Sequence, residues 1–383
     1  MTESRKQILI LTADAGLGHR SAAEAIQKAL EQTYGDLCDV LVKNPLDHPD
    51  IPDFIHDSQS DYDKLIEVMP ELYHTAYDLS DATLPVKFME GGFVLFLYNI
   101  LHEMVLGLAP DIIICPYPVF QAPLNVVLQN EGLAIPTMTV TTDLVTVHQV
   151  YFNDSVTLLT VHTEEVREKA LAAGLKEAQV IKTGIPVDPK IAALKKIEKH
   201  ILCKELGWEP GPISLLVVGS PRVFDLMDIL TAIDQTDHDL QFALVAGGND
   251  TLLEKFESAA WHHPAKIYDF VEFMPKLMRA ADIMLCKAGG LITTESLASE
   301  LPIMVTSFIP GQEEGNVDYI RKHDAGELCD TPEKAVLTLD TWLKNSGEGL
   351  AQVTENAAKA GRAEAAMAIA KIAWQLLSER SID

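Results

Sequence analysis

The chain has 383 residues, of which 48% are hydrophobic and 22% charged. That is enough apolar material for about two packed domains and excludes a disordered chain. A formal net charge of −26 argues against a surface built to grip nucleic-acid phosphates. Five cysteines, Cys38, Cys115, Cys203, Cys286 and Cys329, contain no C-x-x-C pair; they suit a reducing compartment and supply neither a disulfide framework nor a zinc site.

Met1 to Lys6 is polar, so no signal peptide is expected there. Ile8 to Leu11 reads as a buried strand, Asp14 to Arg20 as a glycine turn, and Ser21 to Leu30 as a helix. Ser21 is the expected N-cap, with Glu24 completing a capping box. Strand-like runs recur at Val40–Val42, Ile112–Cys115, Thr137–Thr141 and Leu158–His162, separated by helical patterns. The longest apolar run, Phe93 to Leu101, is too short to span a bilayer. The segment from Phe88 to Leu108 reads either as a membrane-facing amphipathic helix or as a core helix, the latter slightly favoured.

After a basic, polar helical stretch from Lys190 to Lys204, the rhythm restarts at Leu215–Val218, Phe242–Ala246, Lys266–Tyr268, Ile283–Cys286 and Ile303–Thr306. An Ala-rich helix from about Gly349 to Ser378 closes the pattern. Continuous apolar strands alternating with helices predict parallel sheets covered on both faces, in two doubly wound α/β domains. Charge is uneven: residues 29–166 hold three basic against 21 acidic side chains, whereas Arg167 to Lys204 holds nine of the 30 basic ones.

Four constellations fall where ligands of open α/β sheets bind, after the carboxyl ends of strands. In Asp14-Ala-Gly-Leu-Gly-His19-Arg20, Gly16 and Gly18 allow close backbone approach, and His19 stands at a helix start. A tight turn with a surface histidine would read the same. Lys287-Ala-Gly-Gly290 opens a helix bearing Thr293 and Glu295. Gly289 and Gly290 offer a cradle for a diphosphate, and Glu295 is placed to accept hydrogen bonds from a ribose; a capped helix with solvated charges is the alternative. Pro310-Gly-Gln312-Glu313-Glu-Gly-Asn316 offers polar side chains suited to a sugar, or is a hydrophilic turn. Thr141-Thr-Asp143, with His148 five residues on, pairs a carboxylate with an imidazole; a turn cap is equally compatible. Asp61-Tyr-Asp63 and Asp237-His-Asp239 have D-x-D spacing but follow no buried strand, which favours solvated carboxylates over a metal site. There is no Walker loop and no nucleophile elbow.

Together these residues resemble the glycosyltransferases that include monogalactosyldiacylglycerol synthase and the processive diacylglycerol glucosyltransferases, with the muramyl-lipid N-acetylglucosaminyltransferase a more distant relative. The resemblance rests on Ala13–Arg20 with Ser21–Ile26, Val140–Leu144 with His148, and Gly184–Val187. It continues through Val245-Ala-Gly-Gly-Asn249, Asp269–Met274, Lys287–Leu297, Leu301–Ile303 and Pro310–Asn316. It implies a GT-B fold: two Rossmann-like domains facing an interdomain cleft, residues 1–188 binding the acceptor and 189–383 the nucleotide-sugar, with the last helix (360–378) packing back on the first domain. By position, Phe270 and Val271 would flank the nucleobase, with Gly289 and Gly290 at the diphosphate and Glu295 on the ribose. Gln312, Glu313 and Asn316 would face the donor sugar, and Gly219, Asn249 and Thr293 complete the donor set.

The resemblance also makes His19 the general base, with Asp143 as its partner or alternative, and Gly16, Gly18 and His148 line the acceptor side. It implies inverting transfer of a hexose from a UDP-sugar to a lipid such as diacylglycerol, with no cofactor and no metal. A cytoplasmic enzyme, peripheral on the inner membrane face, is the corresponding expectation. Two features depart from the family pattern. Where a run of glycines is usual, this chain has Gly219-Ser-Pro-Arg222, in which Pro221 removes an amide and Arg222 offers a guanidinium instead. The acidity of residues 29–166 is the reverse of a surface attracted to anionic lipid. A nucleotide-sugar epimerase and a non-catalytic nucleotide-sugar binder are the alternatives on the same fold.

Overall fold

The computed structural model describes residues 5–14, 17–51, 83–219 and 226–379. Gly16, Arg222, Asp61 and Asp63 lie outside them. The chain divides into two compact units, Met1–Pro189 with Glu364–Asp383, and Lys190–Ala363.

The first unit runs β1 (Lys6–Leu11), α1 (Leu17–Tyr34), β2 (Cys38–Lys43), α2 (Thr83–Leu108), β3 (Ile112–Cys115), α3 (Gln121–Asn130), β4 (Thr137–Val140), β5 (Leu158–Val161), α4 (Glu164–Ala172) and β6 (Val180–Lys182). Its sheet has the order β2-β1-β3-β4-β5-β6, with every pairing parallel. Apolar side chains alternate between the sheet's two covered faces. Ile8 and Ile10 pack with α1, whereas Leu9 and Leu11 pack with α2 and α3, which is why these strands read as unbroken hydrophobic runs. Of α2, Leu97, Leu101 and Val105 are buried against α3 and the sheet, while Phe96 and Leu106 stand exposed. Its described half is therefore a core helix with an apolar outer edge. No helix among the described residues is long and apolar enough to cross a membrane.

The second unit runs α5 (Lys190–Leu194), α6 (Lys199–Leu206), β7 (Ile213–Val218), α7 (Leu226–Asp234), β8 (Leu240–Val245), α8 (Asp250–Ser258), β9 (Ala265–Tyr268), α9 (Met274–Ala280), β10 (Ile283–Lys287), α10 (Gly290–Ala298), β11 (Ile303–Ser307), α11 (Glu314–Lys322), β12 (Gly326–Leu328) and α12 (Pro332–Ala360). Its parallel sheet has the order β12-β11-β10-β7-β8-β9.

Three expected elements differ. Helix α1 begins at Leu17, four residues before Ser21, so Ser21 is an interior helix residue and His19 lies in the first turn. Lys190–Lys204 is not continuous helix; α5 and α6 are separate. The Ala-rich tail is also interrupted. Helix α12 is broken at Lys344–Gly347, where Asn345, Ser346 and Gly347 have positive φ. It then stops at Gly361, and α13 (Ala365–Glu379) follows. A Cβ on Gly361 would lie 2.0 Å from the Leu297 carbonyl oxygen, so only glycine permits that approach.

Helix α13 belongs to the first unit. Ala366, Ile369, Ala370, Ala373 and Leu377 pack on α1 and the sheet, and Trp374 stacks on Tyr34 at 4.4 Å between ring centroids.

Candidate active site

In each sheet the chain works outward in both directions from one pair of neighbouring strands. In the first unit these are β1 and β3, and in the second β7 and β10. Such reversals leave a crevice beyond the strand carboxyl ends, the usual ligand position in open α/β sheets. His19 follows β1 and Pro116–Tyr117 follows β3, while Gly219 follows β7 and Ala288–Gly289 follows β10.

In the first unit the imidazole of His19 is held from three sides. Its Nδ1 lies 3.2 Å from the Pro116 carbonyl oxygen and 2.9 Å from Thr142 Oγ1, and Tyr117 meets the ring edge-on at 4.8 Å. Thr142 Oγ1 is in turn 2.7 Å from the Tyr151 hydroxyl. The hydroxyls of Thr142 and Tyr151 thus stand in series behind the His19 ring. Thr142 lies within the Thr141–Asp143 motif, but Tyr151 had no signal in the sequence. His148 serves this network indirectly: its Nδ1 accepts the Val150 N–H at 3.2 Å and caps the short 3₁₀ turn Gln149–Tyr151 that carries Tyr151. Gly18 has open space where a side chain would project. Arg20 is anchored to Asp14 through two bonds of 2.6 and 2.7 Å.

Burial lowers the pKa of His19 to about 4, against which its bond to Pro116 works. Burial raises that of Asp143 to about 6, against the lowering effect of Tyr151, and pushes Tyr151 well above the usual phenol value. At neutral pH the imidazole is uncharged and the carboxylate ionised. The two groups bias stability in opposite senses. A depressed histidine contributes stability that is lost as pH falls from about 6.5 toward 4, whereas a raised carboxyl gains it as pH falls from about 6 toward 3.9. His19→Gln removes only the first effect. Relative to wild type, that variant is expected to gain up to about 3 kcal/mol between pH 7 and pH 4. Paired denaturation curves at the two pH values check this; a difference that stays constant with pH would contradict it.

In the second unit α10 starts at Gly290 with Gly289 as N-cap and no side-chain cap. The Gly289 N–H turns back to the Lys287 carbonyl at 2.8 Å. The amides that remain outside the helix ladder are therefore those of Gly290, Leu291 and Ile292 rather than that of Gly289. This turn is braced from the neighbouring strand. Lys287 forms an ion pair with Glu313, the side chains being 12% and 8% exposed. The other Glu313 oxygen accepts the Ile309 N–H at 2.7 Å, and Asn316 Nδ2 donates to the Ala288 carbonyl at 2.8 Å. Glu313 and Asn316 thus shape the turn. Lys287, which the expected donor set omitted, puts a cation beside Gly289.

Other expected donor residues are placed as follows. Glu295 and Gln312 are half-buried. Thr293 is fully buried, with its N–H bonded to the Gly289 carbonyl, so it faces the core. Asn249 caps α8 by accepting the Leu252 N–H at 3.0 Å. Phe270, after β9, is 68% exposed, whereas Val271 is in the core. Gly219 sits where a Cβ would lie 2.1 Å from Leu252 Cδ2 and 3.2 Å from the Val245 carbonyl oxygen, so its lack of a side chain has a packing cause. Asp237 and Asp239 are exposed and precede β8, at the strand ends opposite the glycine turns. Among the described residues no group of three or more His, Cys, Asp or Glu is arranged to hold a metal.

Two Rossmann-like units, each with a candidate site beyond the strand carboxyl ends, make up the GT-B architecture. The family model for monogalactosyldiacylglycerol synthase matches residues 19–187, and that for the glycosyltransferase family 28 C-terminal domain matches residues 215–375. A probable monogalactosyldiacylglycerol synthase 2 of Oryza sativa is 32% identical, covering 97% of this chain and 80% of that protein. Monogalactosyldiacylglycerol synthase 2 of Arabidopsis thaliana is 30% identical, covering 99% and 82%. The chain belongs to the monogalactosyldiacylglycerol synthase family of glycosyltransferases. Among solved structures, Acinetobacter baumannii MurG superposes with a TM-score of 0.61 at 16% identity, covering 97% of this chain and 99% of that one. The Staphylococcus aureus MnaA–UDP structure gives 0.59 at 14%, covering 95% and 94%. Both show the shared fold.

Proposed function

We propose that the protein transfers a hexose from a UDP-sugar to a hydroxyl of a neutral lipid such as diacylglycerol, with inversion and without a divalent metal. The observation that carries this reading is His19: a neutral imidazole anchored through Nδ1, with no partner at Nε2 among the described residues. In this mechanism Nε2 takes the acceptor proton while the acceptor oxygen bonds to the anomeric carbon. The bond from that carbon to the diphosphate breaks, and its electron pair leaves with the phosphate. The amides of Gly290–Ile292 and the nearby Lys287 ammonium stabilise the departing charge. The exposed ring of Phe270 suits a nucleobase, and Glu295 suits the ribose. Both the names of the plant relatives and the family assignment support a lipid acceptor.

The test is incubation of the purified protein with UDP-galactose or UDP-glucose and diacylglycerol vesicles, with and without EDTA. Glycolipid of inverted anomeric configuration, formed equally in both, is expected. Isomerised donor without acceptor consumption would point to epimerisation, and tight UDP binding without turnover would point to a binding protein. Glu295→Ala is expected to weaken UDP affinity by about tenfold or more, since it removes charged hydrogen bonds, while changing kcat less. Calorimetric titration with UDP checks this, and unchanged affinity would take Glu295 out of the site.

A further inference from the structure

We propose that the first unit holds a second binding site, a cavity beside α3. It takes a small uncharged molecule that carries a hydrogen-bond donor and acceptor side by side, of the lactam or carboxamide kind, on an apolar body. The cavity has a volume of about 290 Å³, and none of the residues that hold His19 lines it.

The fold explains why space is left there. The connection from β4 to β5 carries the 3₁₀ turn Gln149–Tyr151 and no helix, so the sheet beside α3 is covered by irregular chain. Close-packed interiors leave few voids larger than a water molecule, and a space of this size is at the lower end of ligand pockets. Strand side chains alternate between faces. Met138 and Val140 pack on the α1 side, which turns Thr139 toward α3. Leu124 and Leu128 of α3, Leu133 and Ile135 ahead of β4, and Val156 ahead of β5 make the apolar walls. Gln129, Ser155 and Thr157 are exposed and form the mouth, whereas Cys115, Gln121 and Thr139 are buried and form the floor.

Mouth and floor differ in how their polar groups are satisfied. At the mouth, Thr157 Oγ1 accepts the Thr137 N–H, Gln129 Nε2 donates to Asn125, and the Ser155 hydroxyl donates to Asn153. At the floor, Gln121 is 4% exposed and Thr139 1%. Among the described residues neither the amide oxygen nor the amide nitrogen of Gln121 has a partner, and Thr139 Oγ1 has none. Buried polar groups in native proteins are nearly always satisfied, so three unpaired atoms at the end of one cavity mark what its occupant supplies. A side-chain amide presents an acceptor and a donor together, and its complement is a group that returns a donor and an acceptor. Among the described residues that line the cavity none bears a charge, and burial pushes the Cys115 thiol up to about 12, which keeps it neutral. An ion there would lose its water without gaining a counter-charge. This excludes phosphates, carboxylates and metal ions. A cavity of roughly 150 Å³ admits benzene, so this one suits a molecule of two fused rings.

The test uses the full chain and dihydroquinolinone, a bicyclic lactam. Its N-methyl derivative, which lacks the donor, and naphthoate, which is charged, are the comparisons. Backbone ¹H–¹⁵N spectra locate binding and give the affinity. The lactam is expected to move the signals of Gln121 and Thr139 and to bind about tenfold more tightly than its N-methyl derivative, while naphthoate leaves those signals unmoved. Gln121→Leu removes both amide atoms at similar size and is expected to bind the two lactams equally. Because it also removes an unpaired buried group, it should melt at or above the wild-type temperature. Thr139→Val, which loses the hydroxyl and keeps the shape, should weaken lactam binding severalfold. Three results overturn the proposal: unmoved Gln121 and Thr139 signals up to the lactam's solubility limit, equal binding of the two lactams by wild type, or a lower melting temperature for Gln121→Leu, which would give the amide a structural role. None of these measurements uses a UDP-sugar, so they decide the cavity whether or not the transfer reading holds.

Discussion

His19→Ala is expected to slow sugar transfer by about a hundredfold to ten-thousandfold, roughly 3 to 5 kcal/mol of lost barrier lowering, with UDP affinity unchanged. The rate effect follows from removing the group that takes the acceptor proton. The unchanged affinity follows from the division of labour in the fold, since His19 belongs to the first unit and the glycine turn of α10 to the second. His19→Gln separates proton transfer from the filling of space, because its amide can bond Thr142 or Pro116 but cannot act as a base at neutral pH. Both variants should therefore be comparably slow. Single-turnover rates with radiolabelled donor, together with UDP titrations, make the measurement. A variant retaining more than about a tenth of wild-type kcat would remove the histidine from the chemistry.

The second large effect concerns stability. Glu313→Ala is expected to destabilise the second unit by about 3 to 5 kcal/mol. The substitution leaves the Lys287 ammonium largely buried without its carboxylate and orphans the Ile309 N–H. A buried ion pair is weak evidence of net stabilisation, but breaking one side of it is costly because an uncompensated charge remains. It follows that Lys287→Met combined with Glu313→Leu should recover much of the loss, since the charge is removed with its partner. Both variants should also lose UDP affinity, because the Lys287–Glu313 pair braces the Ala288–Gly289 turn ahead of the α10 amides. Thermal unfolding of the single and double variants checks the first statement and calorimetry the second. Equal destabilisation of the single and double variants would show that the pair, rather than the stranded charge, matters.

The alternation of strands and helices was legible because the strands are covered on both faces. Ile112 to Cys115, for example, is buried at every position, and such runs cannot be mistaken for surface. Strands β6 and β12 escaped notice for the converse reason: each has three residues at a sheet edge with only one fully buried. The start of α1 was misplaced because Ser21 and Glu24 imitate a capping box, a local pattern that cannot register a helix already begun at Leu17.

The candidate site was legible in part. Glycine turns after apolar strands located His19 and the α10 start, and a polar strand end located Asp143. The sequence could not tell which polar side chains face a ligand and which serve the scaffold. Asn249, Glu313 and Asn316 prove to shape turns, and Tyr151 becomes relevant only through its hydroxyl's place beside Thr142.

The break at Gly361 has a consequence for how the protein is made. Because α13 supplies apolar side chains to the first unit's core, that unit cannot complete its interior while its own first 189 residues emerge from the ribosome. It must wait, with the α1 face uncovered, until the entire second unit has been translated. A fragment ending before Ala365 would leave Ala23, Ile26 and Leu30 without their cover. It is therefore expected to aggregate, and adding α13 as a separate peptide should rescue its solubility.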